Sequence, residues 1–211
     1  MNNETAQKIA KALLDCGAFK ISLDPLFTWT SGIKSPVYCD LRALISHVEI
    51  RDLVTEAFVE QVKGMDVEVI AGTATAGIPW AAFLADRLKK PMIYVRSEAK
   101  EHGTKKRVEG ALKSGQKVLL IEDHISTGKS SVSALNALRE EGAQVDTILA
   151  INSYELKEAD QVFDAAGAKV QTLCNYSVIL QVTMEKGLIN EEQHQLLQEF
   201  RKSPKEWAGR G

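Results

Sequence analysis

The feature of this sequence that most constrains its fold is an alternation of short apolar runs with helical patterns, which begins near residue 67. Short apolar runs between turn residues predict buried strands. The predicted strands are Val67–Ala71, Met92–Val95, Lys117–Ile121, Val145–Asn152 and Lys169–Leu173. Such strands, when helices separate them, are typical of a parallel sheet that is covered on both faces. We therefore predict an α/β fold with a central, mostly parallel sheet flanked by helices.

The segments between and around these strands have the spacing of helices. Helices are predicted for residues 3–16, 46–64, 78–88, 129–141 and about 191–200. Ser46 and Glu49 have the spacing of a capping box at the start of the second helix. Residues 18–45 contain short β-prone runs broken by proline and glycine, which predicts a small, partly β hood. Because 211 residues can bury a sizeable core, we expect a single domain over 1–211, with the hood formed mainly by 18–45 and the C-terminal region.

Composition and charge exclude several classes of protein. The chain has 26 Lys and Arg residues against 28 Asp and Glu residues, and it lacks the basic excess of a dedicated nucleic-acid binder. Cys16, Cys39 and Cys174 are widely spaced and form no CxxC pair, which argues against a disulfide framework and a zinc site. No stretch approaches the length of a membrane span, and the first residues do not read as a signal peptide. We expect a cytoplasmic protein without nucleic-acid or membrane partners.

The most informative segment is VLLIEDHISTGKS, residues 118–130, in which a predicted strand leads through two acids to a turn and a helix. Backbone N–H groups at the helix start can surround a phosphate together with nearby hydroxyls. The hydroxyl-bearing residues of the turn are Ser126, Thr127 and Ser130. Glu122 and Asp123 would repel a phosphate alone, so they indicate a ligand with hydroxyl donors or a bridging metal ion, such as a ribose 5-phosphate.

Two alternative interpretations of this segment stay open. The tripeptide GKS at 128–130 occurs in the nucleoside-triphosphate P-loop, but that motif requires a glycine where this chain has Asp123. The segment could also be an ordinary turn from strand to helix, with a serine or threonine that caps the helix.

Two further polar loops follow predicted strands. GTATAG, residues 72–77, consists of small residues that allow a diphosphate to approach the backbone, although a tight packing turn would have the same composition. Residues 96–110 form a long connection, which suits closure over a diphosphate but could be a solvated charge run. Its basic residues are Arg96, Lys100, His102, Lys105, Lys106 and Arg107. Because parallel strands bring their carboxyl ends to one edge, the three loops predict one site.

Several segments resemble motifs of the type I phosphoribosyltransferases. IEDHISTGKS is similar to their motif for 5-phosphoribosyl 1-diphosphate (PRPP), and RSEAKEHG followed by EG is similar to the catalytic loop of orotate phosphoribosyltransferases. GTATAGIP, FTWTSGIKSPVYCDLR and NYS resemble further blocks of that family. The resemblance implies a type I phosphoribosyltransferase fold, and transfer of the phosphoribosyl group from PRPP to orotate in de novo pyrimidine biosynthesis. A purine phosphoribosyltransferase and a PRPP-sensing regulator that binds nucleic acid are the rival interpretations.

The resemblance also implies the roles of individual residues. The catalytic residues are Arg96, Lys100, His102 and Asp123. The PRPP-binding residues are Arg96, Lys100, His102, Glu122, Asp123, His124, Ile125, Ser126, Thr127, Gly128, Lys129 and Ser130, and the diphosphate loop is Thr73, Ala74, Thr75, Ala76 and Gly77. Ser126 also contacts orotate. Mg²⁺ is held mainly through PRPP and water, with no direct protein ligand, and the protein is a homodimer whose catalytic loop reaches the neighbouring subunit.

Some positions depart from the family pattern. Ser97 and Thr30 stand where members have lysines, and Thr75 and Ala76 replace a Tyr-Lys pair, which makes the anion sites depend more on backbone donors. Lys129 replaces a second glycine and could contact phosphate or face solvent. The segment INSYELKE lacks the arginine that fixes orotate in some members, so the recognition of the orotate carboxylate stays open.

Overall fold

The computed structural model describes residues 3–29, 32–98 and 106–207. The chain begins with helix α1 (Asn3–Asp15), which buries one apolar face. Two short antiparallel strand pairs follow. They comprise β1 (Phe19–Ile21), β2 (Phe27–Thr28), β3 (Lys34–Ser35) and β4 (Val37–Cys39), with β1 paired to β4 and β2 to β3. A 3₁₀ helix at Leu41–Ser46 then leads into α2 (Val48–Val62).

The start of α2 differs from the prediction. The capping box of Ser46 and Glu49 does not form, because the residue that precedes the helix is His47, whose side chain makes no capping bond. Ser46 is the last residue of the 3₁₀ helix, which is itself capped by the side chain of Asp40. Because the chain is already helical at Ser46, this serine lacks the extended backbone that a capping residue needs.

The rest of the chain alternates strands and helices. The elements are β5 (Val69–Thr73), α3 (Gly77–Leu88), β6 (Met92–Val95), β7 (Val108–Glu109), β8 (Val118–Ile125), α4 (Lys129–Glu140), β9 (Thr147–Ser153), α5 (Lys157–Ala166), β10 (Lys169–Thr172), α6 (Tyr176–Glu185), α7 (Glu191–Lys202) and α8 (Pro204–Trp207). The strands form one six-stranded sheet in the order β10-β9-β8-β5-β6-β7. All neighbours in it are parallel except β7, which runs antiparallel to β6. The predicted sheet is confirmed.

Buried side chains form two clusters on the two faces of the sheet. Along β8, Leu119 and Ile121 belong to one cluster, whereas Val118 and Leu120 belong to the other. This alternation follows from the period of two in a strand. Residues of α1, α2, α3, α6 and α7 complete the first cluster, and residues of α4 and α5 complete the second. In the described part of the chain, no helix combines the length and the apolar character that crossing a membrane requires.

Candidate functional site

The candidate site lies where β5, β6 and β8 end. The strand β5 is hydrogen-bonded to both β6 and β8, so the three carboxyl ends lie side by side. Helices α3 and α4 begin at this edge, shortly after β5 and β8, and neither has a side-chain cap. The N-terminus of an uncapped helix presents backbone N–H donors and a positive dipole end, which together favour an anion.

Two glycines allow the helices to begin so close to the sheet. A Cβ atom on Gly77 would lie 2.6 Å from the carbonyl oxygen of Ile121, so glycine is required for the contact of α3 with β8. Gly128 has a φ of +77°, and a Cβ atom there would lie 2.7 Å from the ring of Phe163. A side chain at Gly128 would therefore be unfavourable both for its backbone conformation and for its packing.

The predicted diphosphate residues Thr73–Gly77 form the turn between β5 and α3. The N–H of Ala74 donates to the carbonyl oxygen of Val95 at 2.8 Å, which ties this turn to the end of β6. The peptide bond between Ala74 and Thr75 is cis. The buried Oγ1 of Thr73 has no hydrogen-bond partner among the described residues. A buried hydroxyl without a partner is costly, so a ligand that bonds to it would be favoured.

The strand β8 extends to Ile125, so the two predicted acids and His124 are strand residues and not loop residues. Glu122 is only 5% exposed, and one of its oxygens accepts a hydrogen bond from Ser131 at 3.0 Å. Burial, and next the Asp123 carboxyl, raise the pKa of Glu122 well above its usual value. Burial also raises the pKa of Asp123. Two adjacent carboxyls in a poorly hydrated place favour one shared negative charge over two.

His124 packs beside the site as a neutral ring. Its Nδ1 lies 3.4 Å from Nδ2 of Asn152, and its ring contacts that of Tyr154 edge-on, with the centroids 4.1 Å apart. Burial lowers the pKa of His124 to about 3. Because the Asn152 amide nitrogen donates, Nδ1 accepts and the ring proton lies on Nε2. This buried Nε2 has no partner among the described residues.

A cavity of about 820 Å³ opens next to this end of β8. The strand and the turn after it contribute His124, Ser126 and Thr127, and α7 and α8 contribute residues 201–206. Ser126, for which the resemblance predicts a contact with orotate, lies in the wall of this cavity, which is large enough for a small heterocycle.

One wall of the cavity is aromatic. The rings of Trp29 and Tyr154 are stacked with a centroid distance of 4.9 Å and an interplanar angle of 10°. A hydrogen bond also holds the Trp29 ring, because its Nε1 donates to the carbonyl oxygen of Val37 at 3.0 Å. A flat, apolar wall next to polar groups suits a planar ring. Neither residue was predicted from the sequence to have a role. The signal that could have found Tyr154 is its position just after β9, at the same edge of the sheet.

The predicted cationic loop leaves β6 at Arg96 and returns through β7. Two hydrogen bonds of 2.9 Å join the two ends of this loop. The backbone N–H of Arg96 donates to the carbonyl oxygen of Arg107, and the side-chain Nε of Arg107 donates to the carbonyl oxygen of Arg96. The guanidinium of Arg96 lies 3.7 Å from Glu109. Arg96 therefore stands at the end of β6, beside the site. The predicted residues Lys100, His102 and Lys105, like Thr30, lie outside the described residues.

Lys129 is exposed on the first turn of α4, where its ammonium pairs with Glu158 at 2.8 Å. The other oxygen of Glu158 pairs with Lys205 at 3.1 Å. Lys129 thus faces solvent, which is one of the two alternatives that the sequence left open, and it also has a protein partner.

The described fold and site define the chain as a phosphoribosyltransferase of type I. Residues 44–185, more than half of the chain, match the family model of the phosphoribosyl transferase domain. The chain is 46% identical over 203 residues to the orotate phosphoribosyltransferase of Fusobacterium nucleatum, a match that covers 94% of this chain and 96% of that protein. The chain belongs to the orotate phosphoribosyltransferase family.

Solved structures agree with this assignment. The orotate phosphoribosyltransferase of Aeropyrum pernix is 31% identical with a TM-score of 0.73, and the match covers 86% of this chain and 99% of that one. The UMP synthase of Leishmania donovani is 26% identical with a TM-score of 0.78 over 92% of this chain. The present chain spans 42% of the length of that second protein.

Proposed function

We propose that this chain transfers the 5-phosphoribosyl group of PRPP to orotate, giving orotidine 5′-monophosphate and diphosphate, as a step of de novo pyrimidine biosynthesis. One observation carries the proposal. A single edge of the sheet joins two uncapped helix N-termini, a pair of carboxyls and a cavity with a flat aromatic wall. These features suit the phosphates, the ribose hydroxyls and the planar base of the two substrates, and the names of the relatives support the same reaction.

PRPP would bind across the ends of β5 and β8. The N-terminus of α4 and the hydroxyls of the preceding turn would bind the 5-phosphate, and the turn Thr73–Gly77 would bind the diphosphate. Asp123 would accept hydrogen bonds from the ribose hydroxyls. Glu122 would support it from a buried position, where its bond with Ser131 fixes the carboxyl against the first turn of α4.

The chemistry breaks one bond and forms another at the ribosyl carbon C1. The bond from C1 to the diphosphate oxygen breaks, and the electron pair leaves with the diphosphate. A new bond forms from C1 to the orotate ring nitrogen, whose proton is released. Because negative charge builds on the leaving group, Arg96, Lys100 and protonated His102 would stabilise the transition state electrostatically. Closure of their loop would exclude water and prevent hydrolysis of PRPP.

Mg²⁺ is the proposed cofactor. Among residues 3–29, 32–98 and 106–207, no three His, Cys, Asp or Glu side chains are grouped so that they could hold a metal ion. Mg²⁺ keeps several waters and usually binds one or two carboxylates together with substrate phosphates. Asp123 lies beside the two turns proposed to bind phosphate, where it would bond to a water of an ion that is held mainly through PRPP and water. When bound, the ion would neutralise charge on the diphosphate.

The proposed assembly is a homodimer in which the loop after β6 reaches the site of the neighbouring subunit, as the family resemblance implies. The proposed location is the cytoplasm. Cys16, Cys39 and Cys174 are free thiols, the state that a reducing compartment maintains.

The proposed reaction is tested by the loss of orotate absorbance when the purified chain meets PRPP and Mg²⁺, with adenine, hypoxanthine and uracil as parallel substrates. We expect consumption of orotate alone. Consumption of a purine would favour the purine phosphoribosyltransferase, and consumption of no base would favour a PRPP-binding regulator.

A further inference from the structure

The cavity beside Ser126 is lined by more basic than acidic side chains. The basic residues are Lys129, Lys157, Arg201, Lys202 and Lys205, and the acidic residues are Glu158 and Glu206. A neutral pyrimidine would gain little from this surplus of cations. A pyrimidine that carries a carboxylate would be attracted by it.

The four lysines are poorly suited to fix a carboxylate. Lys129 and Lys205 already share Glu158, and their side chains are 67% and 69% exposed. Lys157 and Lys202 are exposed as well. An exposed ammonium group is strongly hydrated and sits on a flexible stem, so it orients a bound anion weakly.

Arg201 differs from the lysines because its guanidinium is held in place. Nη1 of Arg201 donates to Glu155 at 3.0 Å and to the hydroxyl of Ser177 at 2.6 Å. The same oxygen of Glu155 accepts from the N–H and the hydroxyl of Ser177, at 2.8 and 2.6 Å. The arginine side chain is only 28% exposed. Three mutually bonded groups therefore fix one edge of the guanidinium.

The other edge of the guanidinium belongs to a side chain that lines the cavity. Nε and Nη2 of Arg201 make no hydrogen bond with any residue that the structure describes. These two groups carry parallel N–H bonds, the geometry with which arginine binds a carboxylate through two hydrogen bonds. Arg201 also lines the same cavity as Ser126 and the stacked ring of Tyr154.

We propose that Arg201 binds the carboxylate of the pyrimidine substrate and thereby gives the cavity its preference for an acidic pyrimidine. This inference rests on the proposed function and answers the question that the sequence left open. It places a specificity-determining residue on α7, outside every segment that carries a motif.

The test compares the wild type with Arg201→Gln at saturating PRPP and Mg²⁺. The KM for orotate should rise by about 10- to 100-fold, the usual loss for a charged hydrogen bond. Uracil is the same ring without the carboxylate, so its inhibition constant should stay unchanged, as should the KM for PRPP. Arg201→Lys keeps the charge and should recover part of the affinity for orotate. Arg87→Gln is the matched control, because Arg87 also pairs with carboxylates, Asp52 and Glu56, but lies outside the cavity lining.

Two outcomes would overturn the inference. One is an unchanged KM for orotate in Arg201→Gln. The other is an equal loss for orotate and uracil, which would mean that Arg201 only shapes the cavity. A rise in Tm with PRPP verifies that each variant is folded. If the wild type does not consume orotate, the proposed function fails. The preference of the cavity for an acidic pyrimidine is then tested by thermal unfolding of the wild type, in which orotate should raise the Tm more than uracil does.

Discussion

His124 makes the folded chain sensitive to acid, and its replacement by leucine should remove that sensitivity. Burial lowers the pKa of His124 to about 3 in the folded state, from an ordinary value of 6.5. Between these two pH values the unfolded chain binds more protons than the folded chain does. The free energy of unfolding therefore falls as the pH falls, and this contribution is fully present only above about pH 6.5.

The size of the effect follows from the pKa. Below about pH 6.5, one such group lowers the free energy of unfolding by about 1.4 kcal/mol for each pH unit. The free energy of unfolding at pH 5 is therefore about 2 kcal/mol lower than at pH 8. For a chain of about 200 residues, this loss lowers Tm by about 4–8 °C. In His124→Leu the contact with Asn152 is also lost. The loss of this contact lowers Tm at every pH. Only the change in Tm between pH 8 and pH 5 therefore reports the titration of His124.

The assay is thermal unfolding at pH 8 and pH 5 of the wild type, His124→Leu and the control His47→Gln, in which an exposed histidine is removed. The wild type and the control should lose about 4–8 °C more than His124→Leu on acidification. An equal loss in all three proteins would refute the reasoning, because it would show that folding does not hinder protonation of His124.

The other predictions concern Gly128 in the turn before α4, the buried carboxyl of Glu122 and the proposed assembly. Gly128→Ala should lower the free energy of unfolding by about 1–3 kcal/mol and weaken PRPP binding, whereas Gly64→Ala, at a φ of +84° in open space, should leave PRPP binding unchanged. Folding raises the pKa of Glu122, so the contribution of this one carboxyl to the stability of the wild type is lost as the pH rises above 4.5. The Tm of Glu122→Gln should therefore exceed that of the wild type by more at pH 8 than at pH 4.5. The same difference in Tm at both pH values would contradict this prediction. Mixed subunits of inactive Lys100→Ala and inactive Asp123→Ala should recover activity, and no recovery in verified heterodimers would place the loop in its own subunit's site.

The sequence predicted most of the sheet because its strands are buried on both faces and read as apolar runs. The sequence predicted that β8 ends at Ile121, four residues too early. The prediction stopped there because two adjacent carboxyls are not expected inside a buried strand. Helices α5 and α6 were not predicted at all. The buried side chains of α5 are only those of Ala159 and Phe163. Two apolar positions are too few to reveal the spacing of a helix. The segment of α6 is short and largely apolar, and such a run does not distinguish a helix from a strand.

The candidate site likewise has one part that the sequence predicted and one part that it did not. The small residues, hydroxyls and acids of the turns after β5 and β8 lie close together in sequence, and they indicated an anion site. The cavity wall depends on contacts between distant segments. Trp29 meets Tyr154 only because the segment between α1 and α2 folds against the end of β9. Arg201 reaches Glu155 only when α7 packs beside it. No local pattern in the sequence could show either contact.

The most direct test of the central claim is whether the product forms at this site. Wild type and Asp123→Asn are incubated with orotate, PRPP and Mg²⁺, and orotidine 5′-monophosphate and diphosphate are measured. We predict equal amounts of both products from the wild type, and a fall in kcat/KM of about 100-fold in Asp123→Asn with a Tm close to that of the wild type. Product formation by Asp123→Asn at the wild-type rate, or none by the wild type, would contradict the account.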